Sequence, residues 1–515
     1  MASISARIVD SLLRDWRDND APAYAALADR IRLLVLDGRI PIGTRLPAER
    51  DLAQHLGVSR TTVTAGYADL RDSGYLVSLR GSGSVARLPG RAPVSIGGDD
   101  PGLLDFSKAA LPASPLLAEA AQRAVQRLPA YLGETGFDPV GLPRLRQAIA
   151  DRYTSRGVPT TPDQVMVTIG AQHAIALLAR VLLDRGDAAL VESPSYPHAF
   201  DALRIAGGRL VPVGVTSDDG WDVDALEQAL RRSSPALGYV MPDFHNPTGR
   251  VMDEDLRERM LGLAAAQGTT IIADETMAEL RIDEPALPLG GPPINAQTPT
   301  LSGLPIDEPA APRVGPPISA QTPPPAPPLP FPLPLAAYGQ AVSIGSLGKT
   351  VWGGVRIGWI RAEPPLVQRL VRARSAGDLG TPILEQLIAI ELLERYDEVL
   401  AGRREQLRTG RDHLERALRA ALPEWTVPHV TGGLTTWVNL GRPASSQLAL
   451  ATRNEGLVLA SGPRFGIDGA FERFLRLPFS YTAEETDRAV AALARAWGSL
   501  SRHPLPEQPY LAAVV

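Results

Sequence analysis

The chain has 515 residues, is 44% hydrophobic and carries a net charge of −5 at neutral pH, with no cysteine. A single core stops growing at about 250–300 residues, so more than one domain is expected. Lack of cysteine excludes a disulfide framework, thiolate catalysis and Cys-based zinc sites, and the acidic balance requires any nucleic-acid-binding surface to be local.

The opening MASISARIVDSLLRDW is amphipathic and carries Arg and Asp, unlike the apolar core of a signal peptide. No later run reaches the ~18 apolar residues of a membrane span, so a soluble cytoplasmic protein without a membrane partner is expected. Leu27, Ile31, Leu34 and Val35 recur at helical spacing over residues 23–36, and Gly38 ends the pattern. A second helix is predicted over Ala48 to His55, then a turn at Leu56-Gly57-Val58, then a third helix with Ser59 as N-cap. Helix, short Gly-containing turn, helix is the arrangement whose second helix enters the DNA major groove. Ser59, Arg60, Thr61 and Thr62 supply short donors and one guanidinium where base edges and phosphates would lie. Tyr75-Leu76-Val77 and Ser84-Val85-Ala86 flank a Gly-rich tip, giving a β-hairpin wing. GSGSVA also fits a dinucleotide fingerprint, but Pro89 and Gly90 stand where a helix must begin. Between residues 22 and 88, nine arginines face six acids, a local +3 in an acidic chain.

LPAERDLAQHLGVSRTTVTAGYADLRDSGYL with its GSGS wing resembles the GntR family of winged helix-turn-helix repressors. The resemblance covers residues 1–88 and implies a double-stranded DNA operator as partner. It implies contacts from Arg50, Ser59, Arg60, Thr61 and Thr62, and from the wing at Gly81 and Gly83. Ala48 replaces the usual serine, so the second helix should lack a side-chain cap.

Residues 89–103, rich in Pro, Gly and Asp, read as a linker. From Leu104 to the end at residue 515, helices alternate with short apolar strands, the signature of an α/β domain. Strands are predicted at Val165–Ile169, Ala189–Val191, Arg209–Val213, Leu237–Met241, Thr270–Ala273, Ala341–Ile344 and Ile357–Ile360. They imply a largely parallel sheet with ligand contacts on loops at strand ends. Residues 283–335 interrupt the pattern: IDEPALPLGGPPINAQTP recurs as IDEPAAPRVGPPISAQTP, displaced by 24 residues. Two proline-rich copies cannot stack into a solenoid, so a duplicated, disordered, inert insertion is expected.

Lys349 is one of two lysines, with Lys108, in a chain whose other basic residues are arginines. An arginine stays charged, whereas a lysine amine can lose its proton and form a Schiff base. Gly348-Lys349-Thr350 also matches the end of a phosphate-binding P-loop, but the required first glycine is Ser343. Gly170-Ala171-Gln172 follows a strand and opens a helix, an anion site by its backbone N–H groups and dipole. Ser346 and Arg356 flank the lysine and could bind the same anion. Asp274 ends a strand, Asn246 lies in a turn, Tyr196 offers a flat ring, and Arg476 sits in an apolar run that calls for an anionic partner. A phosphate, a pyridinium nitrogen, a phenolate, a flat ring and an aldehyde on lysine together describe pyridoxal 5'-phosphate.

The ordered motifs GFDPVGLPRLRQAIADRY, IGAQHA, ESPSYP, HNPTG, ADET, SLGKT, GGVRIGW and FLRLPFS resemble fold-type I, class I/II aminotransferases. That resemblance implies a large domain with a mixed, mainly parallel sheet and a small domain. It implies Lys349 forming the internal aldimine, Asp274 on the ring nitrogen, Asn246 on the phenolate and Tyr196 stacking. Arg356, Ser346 and Gly170, Ala171 and Gln172 would hold phosphate, and Arg476 an effector or substrate carboxylate. Two tyrosines usual in that family are missing: the one two or three residues after the aspartate, where Glu275-Thr276-Met277 stands, is lost at Thr276 or Met277, and the other is Phe137. The whole is similar to the MocR subfamily, which implies a transcriptional regulator working as a head-to-tail homodimer. Its domain would sense pyridoxal phosphate, an amino acid or an amine through transaldimination at Lys349, beside a pocket at Thr431-Gly432-Gly433. A working aminotransferase carrying a DNA module is the alternative, and no metal site is expected.

Overall fold

The structure, a computed structural model, describes residues 3–13, 16–17, 22–36, 40, 44–79, 83–87, 103–283, 333–467 and 470–502. Gly81, the expected linker apart from Leu103, and the expected insertion apart from Asp283 and residues 333–335 lie outside the described residues.

The N-terminal unit begins with α1 (Ala6–Leu13), α2 (Ala23–Leu36), α3 (Glu49–Leu56) and α4 (Arg60–Asp72). Its core is the set that helical spacing singles out, Leu27, Ile31, Leu34 and Val35, joined by Val9, Leu52, Val63 and Leu70. Helix α3 stops because Gly57 adopts φ +62°, the left-handed conformation that glycine tolerates best. Ala48 makes no side-chain cap bond. Instead Glu49, in the first turn, accepts from the Thr64 hydroxyl at 2.8 Å, tying α3 to α4. Helix α4 is capped by Ser59, whose Oγ accepts from the Thr62 amide at 3.1 Å. β1 (Leu76–Leu79) and β2 (Gly83–Ala86) pair antiparallel, Leu76 opposite Ala86 and Leu79 opposite Gly83.

After β3 (Leu104–Asp105) comes α5 (Pro143–Ser155), then β4 (Val165–Thr168) and α6 (Ala171–Leu182). They are followed by β5 (Ala188–Ser193), β6 (Arg209–Thr216), β7 (Gly220–Trp221), β8 (Leu237–Val240) and β9 (Thr270–Asp274). β10 (Val342–Ser346) and β11 (Gly358–Arg361) complete an eight-stranded sheet in the order β4-β11-β10-β9-β8-β5-β6-β7. The sheet is mixed: β11 is antiparallel to both neighbours and β7 to β6, while the central strands are parallel. Side chains alternate across each strand. Val191, Tyr239, Ile272 and Ile344 fill one core, with α6. Leu190, Val240, Ile271 and Ala273 fill another, with Leu226, Met260 and Leu261.

The C-terminal part brings α7 (Tyr396–Ala421), β12 (Thr435–Asn439), α8 (Ser445–Asn454), β13 (Leu457–Val458), β14 (Ala460–Ser461), β15 (Phe474–Pro478) and α9 (Ala483–Arg502). β12, β15 and β14 form a small antiparallel sheet, and β13 pairs in parallel with β3. Leu450, on α8, packs against the N-terminal unit's core, and α8 meets α2. No helix among the described residues is long and apolar enough to cross a membrane.

Candidate functional site

The parallel strands deliver their C-terminal ends to one edge of the sheet, where a doubly wound topology places its ligand loops. Lys349 follows β10, and its Nζ donates to the Ala109 carbonyl at 2.7 Å. Burial, reinforced by the Arg476 guanidinium and opposed by Asp274, pushes the amine down from 10.5 to about 8. Asp274, 4% exposed at the end of β9, is held on both oxygens. One accepts from the Tyr239 hydroxyl at 2.6 Å. The other accepts from the Thr276 hydroxyl at 2.7 Å and from the Thr276 amide at 3.1 Å.

Tyr196, at the turn after β5, shares this neighbourhood. Its phenol is raised to about 12, by burial and then by Asp274, against the pull of Arg476 and Arg356. Asn246 is buried, and its Oδ1 has no hydrogen-bond partner among the described residues. Its loop is fixed from behind. His245 Nδ1 lies 2.9 Å from the Thr248 hydroxyl, and Nε2 lies 3.2 Å from Glu192. Glu192 also accepts from Trp221 Nε1 at 2.7 Å and from the Met241 amide at 2.8 Å.

Gly170 caps α6 at φ +86°. A Cβ there would come within 2.9 Å of Arg356 Nη2, and one on Gly358 within 2.6 Å of Gly170 C. Two glycines therefore allow three chain segments to converge at a helix N-terminus, beside a guanidinium. Arg356 Nη2 donates to the Ile169 carbonyl at 3.0 Å, which holds the charge over the first turn of α6. Gln172 Nε2 donates to the His198 carbonyl at 3.1 Å, while Oε1 is buried without a partner among the described residues. Ser346 lies at the end of β10, three residues before Lys349. Its hydroxyl donates to the Ile357 carbonyl at 2.9 Å and accepts from the Gly348 amide at 3.0 Å, so its proton points into the β10–β11 connection.

Arg476 lies on β15, 6% exposed. Nη2 donates to the Ser107 carbonyl, Cζ sits 4.9 Å from the Phe465 ring centroid, and Nε is buried without a partner among the described residues. Burial pulls this guanidinium down from 12.5 to about 10, partly offset by Tyr481. A buried cation with an open donor calls for an anion.

Lys349 and Arg476 thus donate to the same short segment, residues 105–109. Tyr481 holds that segment too, donating to the Asp105 carbonyl and, at 3.2 Å, to that of Lys108. Its ring stacks on Phe106 with centroids 4.2 Å apart. Tyr239, Tyr481 and this strap were not singled out from sequence. Tyr239 reads as strand filler, and carbonyl acceptors carry no residue-type signal.

In the N-terminal unit, Arg50, Ser59, Arg60, Thr61 and Gly83 are exposed and Thr62 half-buried. Ser59 Oγ lies 2.7 Å from Thr61 Oγ1 and 2.8 Å from Thr62 Oγ1, so cap and helix start form one polar cluster. Arg45, which sequence reasoning passed over, lies alongside Gly83: a Cβ there would sit 3.4 Å from its Nε.

The family described as "Aminotransferase class I and II" matches residues 114–493, and "Bacterial regulatory proteins, gntR family" matches residues 23–85. The chain is 30% identical to the probable rhizopine catabolism regulatory protein MocR of Rhizobium meliloti, over 79% of this chain and 80% of that one. It is also 30% identical to the 2-aminoadipate transaminase of Thermus thermophilus, over 74% of this chain and 86% of that one. Among solved structures, α-aminoadipate aminotransferase LysN from Thermus thermophilus, complexed with N-(5'-phosphopyridoxyl)-L-leucine, superposes with a TM-score of 0.63. That match has 28% identity and covers 78% of this chain and 94% of LysN. The cofactor of the larger domain is accordingly pyridoxal 5'-phosphate. The chain belongs to the class I and II aminotransferase family over most of its length and to the gntR family at its N-terminus, the pairing that defines MocR-type transcriptional regulators.

Proposed function

We propose that this regulator binds an operator through residues 1–88 and reads pyridoxal phosphate, an amino acid or an amine through residues 104–515, with residues 89–103 as linker. When bound, the cofactor supplies an aldehyde that condenses reversibly with a primary amine. The residues present suit it. The missing Cβ at Gly170 leaves room for the Arg356 guanidinium beside the first turn of α6, and among the described residues Arg476 keeps a buried Nε donor unpartnered. In this reading Arg356 and the amides at Gly170, Ala171 and Gln172 hold the phosphate, and Asp274 holds a proton at the ring nitrogen. Asn246 donates to the ring oxygen, Tyr196 covers the ring, Lys349 takes the aldehyde and Arg476 takes an effector carboxylate. Ser346 joins the phosphate only if its hydroxyl leaves the Ile357 carbonyl.

The observation that carries the regulatory reading is the sharing of one strap by both cations. Lys349 holds the Ala109 carbonyl and Arg476 the Ser107 carbonyl. With its nitrogen committed to the aldehyde, and its protons lost with the carbonyl oxygen as water, Lys349 would release the Ala109 carbonyl, and a carboxylate on Arg476 would compete with Ser107. The strap begins at β3, which pairs with β13; β13 follows α8, which carries Leu450 to the DNA reader. Ligand energy spent at the site therefore has a physical route to reader placement, shifting an existing equilibrium. In a head-to-tail homodimer it would alter the spacing of two readers.

Turnover aminotransferase activity is the second reading, favoured by the lowered Lys349 pKa. Against it stand Thr276, whose hydroxyl is committed to Asp274, and Phe137, which has no hydroxyl to offer. Operator titrations with and without pyridoxal phosphate, beside steady-state assays with common amino and keto acids, separate the two. Sustained turnover without operator binding would sink the regulator.

A further inference from the structure

Tyr239 lies in the middle of the sheet among Val191, Ile272 and Ile344, all apolar. At such a position a phenylalanine would pack as well, and a buried hydroxyl needs a partner. Register explains where it goes. Tyr239 stands beside Ile272 on the neighbouring strand, so Asp274, two residues on, projects from the same face one step further along. The phenol spans that step to reach the carboxylate at 2.6 Å. From the opposite side, the turn after β9 folds Thr276 back so that its hydroxyl and amide reach the other oxygen. The phenol stays protonated, since burial and the adjacent carboxylate both raise it well above 10.0. Thus Tyr239 is a donor to Asp274 and never a competing anion.

We infer that Tyr239 and Thr276 are positioning residues that clamp Asp274 by its two oxygens and so fix the charge and direction it presents to the cofactor's ring nitrogen. Neither need touch the cofactor. The clamp gives Thr276 a task of its own: its hydroxyl steadies the carboxylate that faces the ring nitrogen. The inference rests on Asp274 pairing with the ring nitrogen, and its test separates the two claims.

The measurements use the full-length protein. One is the dissociation constant for pyridoxal phosphate, followed by fluorescence. The other is the nitrogen resonance of ring-15N-labelled cofactor, which reports protonation of that atom directly. Tyr239→Phe and Thr276→Val should each weaken cofactor binding by about tenfold, the loss typical of a hydrogen bond to a charged group. Each should move the 15N signal toward the unprotonated position, while Thr276→Ser keeps both readouts near wild type. Tyr239→Phe and Thr276→Val proteins that melt normally, with wild-type affinity and 15N shift, would overturn the clamp. If Tyr239→Phe does not fold, the contrast between Thr276→Val and Thr276→Ser decides by itself. Asp274→Asn with wild-type affinity and an unchanged 15N signal would instead overturn the pairing of Asp274 with the ring nitrogen.

Discussion

At the scale of single residues the chemistry turns on Lys349, whose environment is built to strip its proton. Its folded value of about 8 lies below the ordinary 10.5. Between those two values the unfolded chain binds more protons than the folded one, so folding stability contributed by this group rises with pH across that window. Below about pH 8 the burial of a charged amine opposes folding in full; above about 10.5 the opposition is gone. The same shift sets reactivity, because only the neutral amine attacks an aldehyde. Cofactor uptake by apo-protein, followed by absorbance, should accelerate with rising pH with a midpoint near 8 and then level off. A midpoint near 10.5 would contradict the assigned environment. Lys349→Ala should abolish the visible absorbance of the lysine-bound cofactor; a yellow mutant with a reducible linkage at Lys108 would refute the choice of lysine. Lys349 was legible from sequence because it is so nearly alone of its kind. The Tyr239–Asp274 bond was not, since a strand tyrosine reads the same whether it packs or holds a carboxylate.

Helices and strands carry the predictions about the DNA reader. Ser59 caps α4 and organises the hydroxyls of Thr61 and Thr62. Ser59→Ala should lower stability by roughly 0.5–2 kcal/mol in denaturant melts of the reader. Ala48, which offers α3 no side-chain cap, predicts the opposite change. Ala48→Ser should stabilise by up to about 1 kcal/mol, and no gain would mean that Glu49 and Thr64 already serve that end of the helix. Arg60→Ala should weaken operator binding by about 1–3 kcal/mol if it reads a guanine, measured by mobility shift at fixed salt. These elements were legible because caps, a left-handed glycine and 3.6-residue spacing are local signals. The antiparallel entry of β11 was not, since periodicity carries no strand direction. The inward turn of the Ser346 hydroxyl likewise depends on the Ile357 carbonyl, which sequence spacing does not place.

For the whole molecule, ligand and DNA sites communicate if the strap at residues 105–109 has two arrangements that both sites bias. The contact of Leu450 with the reader core is the testable link. Leu450→Asp should leave pyridoxal phosphate affinity unchanged while reducing the effect of the cofactor on operator affinity, because it breaks the route and not the pocket. Operator affinity measured on wild-type protein, with and without saturating pyridoxal phosphate at one salt concentration, tests the central claim most directly. Coupling of the usual strength predicts a difference of about 5- to 150-fold, absent in Lys349→Ala. Equal affinities in the two states, from a wild-type protein shown to have taken up the cofactor, would contradict it.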